Sequence, residues 1–414
     1  MQIGRVLAVS MLALSLAYSV IAGDINRNSK KDIAKVESKL ITANNNFGLD
    51  LFREISRHYP DSNICISPYS IMQALTMTYN GARTTTKEEM EAVLRYKGLS
   101  TDWINQGYKS MNDNFKRSDL TTLEMANSIW YRFTYPIADD FVNLNKKYFS
   151  ADIKPSDFDN FETVGIINDW VSEKTKGKID CIIESPINPL TTMYLINAVY
   201  FLADWNVPFD PTLTYSDDFY IVPDSLKKCD YMFKESEMNY FDGDGFQAVE
   251  LYYTGDRYKM ALFLPDSAFN IDILIGDISI KNINDCLINM SRSKIQLHLP
   301  KLKFEFADSL SNDLKGLGMN EAFSGKADFS GMTDSDREID RLHISEVFHK
   351  TFLKIGEQGT EAAAVTVVET KCSAVPETEK PVKVKFNRPY LFTLMDNQTG
   401  AIMFIGKVIA PDWK

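Results

Sequence analysis

Gly356-Glu-Gln-Gly-Thr360-Glu-Ala-Ala-Ala-Val365-Thr-Val-Val-Glu-Thr370-Lys-Cys-Ser-Ala-Val375-Pro-Glu-Thr-Glu-Lys380-Pro381 is the stretch on which the reading turns. Its first part lacks proline and has almost no bulk. At period two, Thr360, Ala362, Ala364, Thr366 and Val368 share a small, uncharged face. Glu361, Ala363, Val365, Val367 and Glu369 form the other, with a carboxylate at each end. That pattern is a strand with one buried and one solvated face. Its small residues could slide between existing strands without overpacking. The second part, with Pro376 and Pro381 around Glu377, Glu379 and Lys380, reads as exposed loop. Such a segment suits a part that can occupy two places. On the residues alone, an edge strand followed by a surface loop fits as well.

Outward from this stretch, strands dominate the C-terminal half. Thr191–Leu202 is rich in β-branched and aromatic residues, as a strand buried on both faces is. Lys259–Pro265 is another, closed by proline. Lys294–Pro300 alternates apolar and polar. Tyr390–Met395 and Ala401–Val408 flank Asp396-Asn-Gln-Thr-Gly400, an exposed turn. The first third is helical. Phe47, Leu51 and Ile55 recur four apart within Asn44–His58. Ser67-Pro68 opens a second helix carrying Ile71, Leu75 and Tyr79, and Gly81 marks its end. Thr86-Lys-Glu-Glu89 resembles a capping box. There is no internal repeat and no dividing linker. Helices first and antiparallel strands later predict one large α+β domain.

Composition narrows the function classes. The 414 residues include 25 Phe, 19 Tyr and 5 Trp, enough apolar area to offset chain ordering, so disorder is excluded. A net charge of -11 with no basic block excludes nucleic acid as a partner. Arg83, Lys87, Arg95 and Lys97 share one region, but Glu88, Glu89 and Glu91 dilute them, which argues against a glycosaminoglycan site. Cys65, Cys181, Cys229, Cys286 and Cys372 form an odd set without metal spacing, and the only histidines are His58, His298, His343 and His349; neither a metal nor a cofactor is expected. No hydrolase elbow, zinc-protease helix or phosphate-cradling loop occurs, so catalysis is not expected. Asp242-Gly-Asp-Gly245 is too short for a calcium loop and reads as a turn. Residues 1–22 read as a secretory signal, with Arg5 ahead of an apolar run at the short end of what spans a bilayer. No later stretch is long enough to span, so no membrane association is expected. Residues 23–43 form an N-terminal arm in which Ile33, Val36 and Leu40 recur at helical spacing. Asn289 and Asn397 begin glycosylation sequons.

Several of these segments together resemble one family. Glu357-Gln-Gly-Thr-Glu-Ala-Ala-Ala-Val-Thr366 is similar to the hinge of an inhibitory serpin. Asn63-Ile-Cys-Ile-Ser-Pro-Tyr-Ser-Ile71, Thr175-Lys-Gly-Lys-Ile179, Asn197-Ala-Val-Tyr-Phe201 with Trp205, Asp328-Phe-Ser-Gly-Met332 and Phe386-Asn-Arg-Pro-Tyr-Leu-Phe392 resemble further serpin segments. They are colinear from about residue 40 to residue 411. The resemblance implies residues 44–414 as a single serpin domain of three β-sheets and eight or nine helices, with an exposed reactive loop over about 357–385. It implies an inhibitor, expected to be monomeric and, from residues 1–22, secreted, that is a suicide substrate: a serine protease cuts the loop, the loop inserts into the central sheet, and the acyl-enzyme is trapped as a covalent complex.

Residue roles follow by position. Glu357, Gly359, Thr360, Glu361, Ala362, Ala363 and Ala364 correspond to the hinge. Ser67, Ser70, Asn197 and His349 correspond to the polar shutter under the central strands; a satisfied core histidine is an equally good description of His349. Lys301, Trp205 and Glu357 correspond to the breach at the top of the sheet. Counting at the family's usual spacing from Glu357 gives a reactive bond at Ser373-Ala374, suited to elastase- or chymotrypsin-like pockets. The interval to Pro389 is longer than in many relatives, which leaves Cys372 and Lys371 as alternatives, the latter suited to trypsin-like proteases. Leu202-Ala203-Asp204 before Trp205 departs from the Lys-Gly frequent there. The small hinge residues favour inhibition over a non-inhibitory carrier or chaperone.

Overall fold

The fold is organised around one helix, α2 (Pro68–Tyr79), buried along its entire length. Ser67 caps it, its hydroxyl accepting from the Ser70 N–H at 3.4 Å, and Pro68 supplies a preset first turn. The helix tolerates full burial because Thr76 and Thr78 return their hydroxyls to the Met72 and Leu75 carbonyls, at 2.6 and 2.9 Å. The computed structural model describes residues 32–115, 120–222, 225–266, 271–333, 342–360 and 380–413. The expected signal (1–22), the hinge residues Glu361–Ala364, and Lys371, Cys372, Ser373 and Ala374 lie outside the described residues.

The first helix, α1, spans 32–58. Phe47, Leu51 and Ile55 are fully buried, and so nearly are Val36 and Leu40. The helix runs unbroken through residue 43, so residues 32–43 form its first turns, at the spacing of Ile33, Val36 and Leu40. α3 (Thr84–Val93) corrects the capping box expected at Thr86. The helix begins earlier because Arg83 N–H and the Thr84 hydroxyl both donate to Asp328, each at 2.9 Å. Thr86 is interior and buried, its hydroxyl accepting from Asp328 N–H; Glu89 instead accepts from the Asn320 and Glu321 N–H groups. The remaining helices are α4 (Thr101–Phe115), α5 (Asp139–Phe149), α6 (Glu162–Lys174), α7 (Ile271–Asp277), α8 (Ile280–Ile288) and α9 (Ser311–Gly316), nine among the described residues.

A six-stranded sheet contains β2 (Thr121–Arg132), β3 (Asp152–Ser156), β4 (Met193–Asp204), β10 (Leu302–Ser309), β11 (Glu346–Ile355) and β12 (Gly359–Thr360), in the order β10-β11-β12-β4-β2-β3. The other ladders join nine strands: β1 (Ile64–Ile66), β5 (Tyr215–Val222), β6 (Ser225–Gly243), β7 (Phe246–Tyr252), β8 (Tyr258–Pro265), β9 (Ser291–Pro300), β13 (Val382–Lys385), β14 (Tyr390–Asp396) and β15 (Ile402–Val408). The long β6 links them, pairing with β5 first, β9 next and β7 last. Two of the three expected sheets thereby share one hydrogen-bond network. The α+β architecture is as expected. The sheets are not purely antiparallel, because β2–β3, β4–β11 and β9–β13 pair in parallel.

The core explains why β4 reads as continuously apolar. Leu195, Val199 and Phe201 face the main core, while Tyr194, Ile196, Ala198 and Tyr200 face a second cluster under α6 with Trp130 and Trp170. At about 25 cal/mol per Å² of apolar area, both faces contribute to stability.

Candidate functional site at the opening of the central sheet

β11 and β4 are the middle of the six-stranded sheet and pair directly over part of their length, from Glu346 opposite Tyr194 to Phe352 opposite Tyr200. Beyond that they part, and the chain itself fills the gap. After Ile355 it turns back, with Gly356 N–H donating to the Gly359 carbonyl at 2.9 Å. Gly359 and Thr360 then pair with β4, opposite Asp204 and Ala203, while Thr360 faces Ile355 of β11. Gly359 is required here: its φ is +156°, and a Cβ would lie 2.2 Å from the Ala203 carbonyl oxygen.

Each carbonyl of this turn has a donor. Gly356 accepts from the Trp205 indole N–H at 2.9 Å, Glu357 from Phe209 N–H at 2.8 Å, and Gln358 from Trp205 N–H at 2.8 Å. Thr360 is fully buried, and its hydroxyl meets the Tyr253 hydroxyl at 2.8 Å. Trp205 stacks on that same Tyr253 ring at 4.3 Å. The Glu357 carboxylate lies 3.0 Å from Lys301 Nζ and accepts from the Thr214 hydroxyl at 2.9 Å. Burial raises its proton affinity. Its own backbone N–H, Lys301 and Thr214 together outweigh that and hold it below the usual carboxylate range.

A second polar group lies six residues back along β11, about 20 Å at strand rise. His349 faces Asn197 in the β11–β4 register, and Asn197 faces Asn127 of β2. His349 Nδ1 and Asn197 Oδ1 are 2.5 Å apart, and Ser67 N–H donates to His349 Nε2 at 3.2 Å. The Asn197 amide donates to the Ser70 hydroxyl and to Asn127 Oδ1. Since Nε2 accepts, the proton sits on Nδ1 and the ring is neutral. Burial lowers its pKa to about 3. The row ties three adjacent strands to the start of α2 and leaves none of these atoms unpaired.

Thus the structure brings Ser67, Ser70, Asn197 and His349 together, and separately Lys301, Trp205, Glu357, Gly359 and Thr360. The sequence reading missed Asn127, Tyr253 and Thr214. An asparagine amid buried strand residues was the available signal for the first; the others reveal themselves only through tertiary contact. The sequon residues Asn289 and Asn397 are both exposed. Arg83, Lys87 and Arg95 are separately engaged: with the Asn80 and Ala82 carbonyls, over the Tyr79 ring, and with Asp50. Among the described residues, Cys65, Cys181, Cys229 and Cys286 are free thiols, no cluster of metal-ligating groups occurs, and no helix is long and apolar enough to cross a membrane.

Residues 42–411 match the family model described as serpin (serine protease inhibitor). An uncharacterized serpin-like protein of Thermococcus kodakarensis is 33% identical over 92% of this chain and 89% of its own. A leukocyte elastase inhibitor of Xenopus tropicalis is 31% identical over 90% of this chain and 99% of its own. Among solved structures, the thermophilic serpin tengpin in its native state superposes with a TM-score of 0.80 at 34% identity, covering 90% of this chain and 94% of that one.

Proposed function

The chain belongs to the serpin family, and from that premise we propose that it is a secreted, monomeric inhibitor of serine proteases, spent in a single turnover. The observation that carries this reading is the wedge at the sheet top. Thr360 is already laddered on both sides, to Ile355 of β11 and Ala203 of β4, with Gly359 paired to Asp204 of β4, so the described strand ends inside the gap that the loop would fill.

The protease's serine oxygen attacks the carbonyl carbon of the bait residue, Ser373, with Lys371 and Cys372 as the alternatives. The 373–374 amide breaks, and the amine of Ala374 leaves with a proton from the protease's own general acid. The ester between protease and Ser373 remains. Freed at one end, the loop continues the ladder that Thr360 begins. Glu361 to Ala364 follow as the rest of the hinge, Ala362 and Ala364 with small side chains on the buried face and Glu361 on the solvated one. Each inserted residue pairs two edges at once, which supplies the driving force for dragging the protease from its working geometry. Lys301, Glu357 and Trp205 form the breach that sets where insertion starts. Ser67, Ser70, Asn197 and His349 form the shutter that must part for it to proceed. Asn289 and Asn397 would carry glycans.

A carrier role is the second reading. It has in its favour an apolar cavity of about 220 Å³ lined by Phe246, Phe263, Leu274, Ile278 and Ile283. That volume is below the roughly 300–1,000 Å³ of ordinary ligand pockets, and a larger cavity of about 410 Å³ is lined mainly by polar groups such as Gln73, Asn112, Thr121 and Glu124 rather than by an apolar wall, so inhibition is preferred. Mass spectrometry after mixing with elastase-, chymotrypsin- and trypsin-type proteases separates them. A covalent adduct with a C-terminal peptide starting at Ala374 is expected. Cleavage with no adduct for any protease would overturn the inhibitor reading.

A further inference from the structure

The C-terminal residues return to the top of the central sheet, beside the wedge. Lys303 N–H donates to the Asp412 carbonyl at 2.6 Å, which sets Trp413 against the ends of β10 and β11. Lys301 Nζ lies 4.2 Å and Lys354 Nζ 4.7 Å from its ring centroid. A Cβ built on Gly356 would come within 2.9 Å of Trp413 Cη2, so the indole occupies the space a side chain would take.

Two of these three contacts tie Trp413 to the wedge. Gly356 is where the chain reverses from β11 into the wedge. Its carbonyl is held by the Trp205 indole, and its open side is closed by the Trp413 indole. Lys301 is shared between the Trp413 ring and the Glu357 carboxylate. Two ammonium groups gathered at one ring repel each other; the ring's negative face and Glu357 offset that repulsion. Moving Trp413 would at once loosen the turn and release the cation that anchors it.

We propose that Trp413 is a positioning residue for loop entry, bracing Gly356 and Lys301 so that the sheet top opens only when this contact gives way. The proposal rests on the sheet top being the point of entry. The alternative is tail packing that stabilises every state of the molecule alike.

The test uses Trp413→Ala and Trp413→Phe in the full chain. Three quantities are read: the rate at which a synthetic peptide of residues 360–373 is taken up, the thermal midpoint of the intact protein, and that of the protein cleaved in its loop by a protease it does not trap. Trp413→Ala should speed uptake by about five-fold or more, lower the intact midpoint and leave the cleaved one unchanged. Trp413→Phe keeps a ring face for Lys301 but loses the outer indole atoms that meet Gly356, so its uptake rate should fall between those of the parent and Trp413→Ala. Gly356→Ala should act like Trp413→Ala by displacing the ring, add nothing to it in the double variant, and carry the test should Trp413→Ala not fold. Unchanged uptake, or equal losses in intact and cleaved forms, would overturn the proposal. Peptide uptake needs no trapped protease, so absence of an adduct would count against the proposed function and leave this inference standing. A parent protein that takes up no peptide would overturn both.

Discussion

Mild acid should loosen this molecule through His349. The ring is neutral and fully buried, with Nε2 accepting from the Ser67 N–H and Nδ1 donating to Asn197. A second proton would go on Nε2 and set two donors face to face. The native pKa is about 3, whereas a hydrated histidine titrates near 6.5. The sign follows from linkage. Above about pH 6.5 neither state is protonated, and the group contributes no pH dependence. Below it, the opened state takes up a proton that the native state refuses, so stability falls by about 1.4 kcal/mol per pH unit until about pH 3. Between about pH 6.5 and 4.5 the loss is about 2.7 kcal/mol, roughly a hundred-fold in any opening that hydrates this ring. Other groups titrate too. His298 is lowered to about 4, which adds to the effect, and Asp308 is raised to about 6, which opposes it. The decisive quantity is therefore a difference. Native-state opening should be followed by peptide uptake and urea unfolding at several pH values, for the parent and for His349→Gln. The parent should steepen relative to the variant by about one decade per pH unit. Parallel pH profiles, or a His349 ring proton that titrates near 6.5 by NMR, would refute the reasoning.

Thr360→Arg places an unpaired cation between β11 and β4, where Thr360 is fully buried; loop cleavage should persist while the covalent adduct disappears, and an undiminished adduct yield would contradict the insertion mechanism. Glu357→Gln keeps an acceptor for Thr214 and removes the charge facing Lys301; a loss of about 1 kcal/mol should speed spontaneous loop insertion about five-fold. Because the Glu357 carboxyl is held below its ordinary range, the parent's advantage should be complete above about pH 4.5 and vanish as pH falls through the lowered value, so an advantage that does not shrink with acid would count against the ion pair. Trp205→Phe removes the donor to the Gly356 carbonyl and should cost about 1–3 kcal/mol by urea unfolding; a change under about 0.5 kcal/mol would mean that carbonyl finds another partner.

Legibility in the sequence tracked how local each determinant was. β4 was readable because cores on both faces demand apolar residues along nearly all of it, Asn197 apart. α2 was readable because Ser67 and Pro68 carry its start within three residues. β2 went unread because Glu124, Asn127 and Ser128 interrupt its apolar run. The Asn127 carbonyl is satisfied by Asn197, 70 positions away, and no local pattern announces that. Thr86 misled for a related reason: its capping chemistry is real but serves Asp328 from inside the helix. The polar row was found through resemblance rather than periodicity, yet without Asn127, whose role depends on register across three strands. The brace at Trp413 left no local trace, because it joins the chain's end to a turn that only the fold brings near.

The register of the wedge bears on why a hydrogen-bonded polar row should cross the buried middle of the sheet. Thr360 faces Ile355 on β11 and Ala203 on β4. On β11, six residues back from Ile355 is His349. On β4, six residues back from Ala203 is Asn197. These two already face each other across the closed part of the sheet. An inserted strand continuing the same antiparallel register would reach that level six residues after Thr360, at Thr366, from both sides independently. Thr366 belongs to the small face that begins at Thr360, and its hydroxyl can both donate and accept. Insertion separates the Nδ1 of His349 from the Asn197 carbonyl and would leave both buried and unpaired, at about 1–3 kcal/mol each. A threonine arriving at that point can meet both needs; alanine or valine cannot. Under the proposed insertion mechanism, the row that crosses the closed sheet would thus set a chemical requirement on the inserting loop, and Thr366 stands at the position the register dictates.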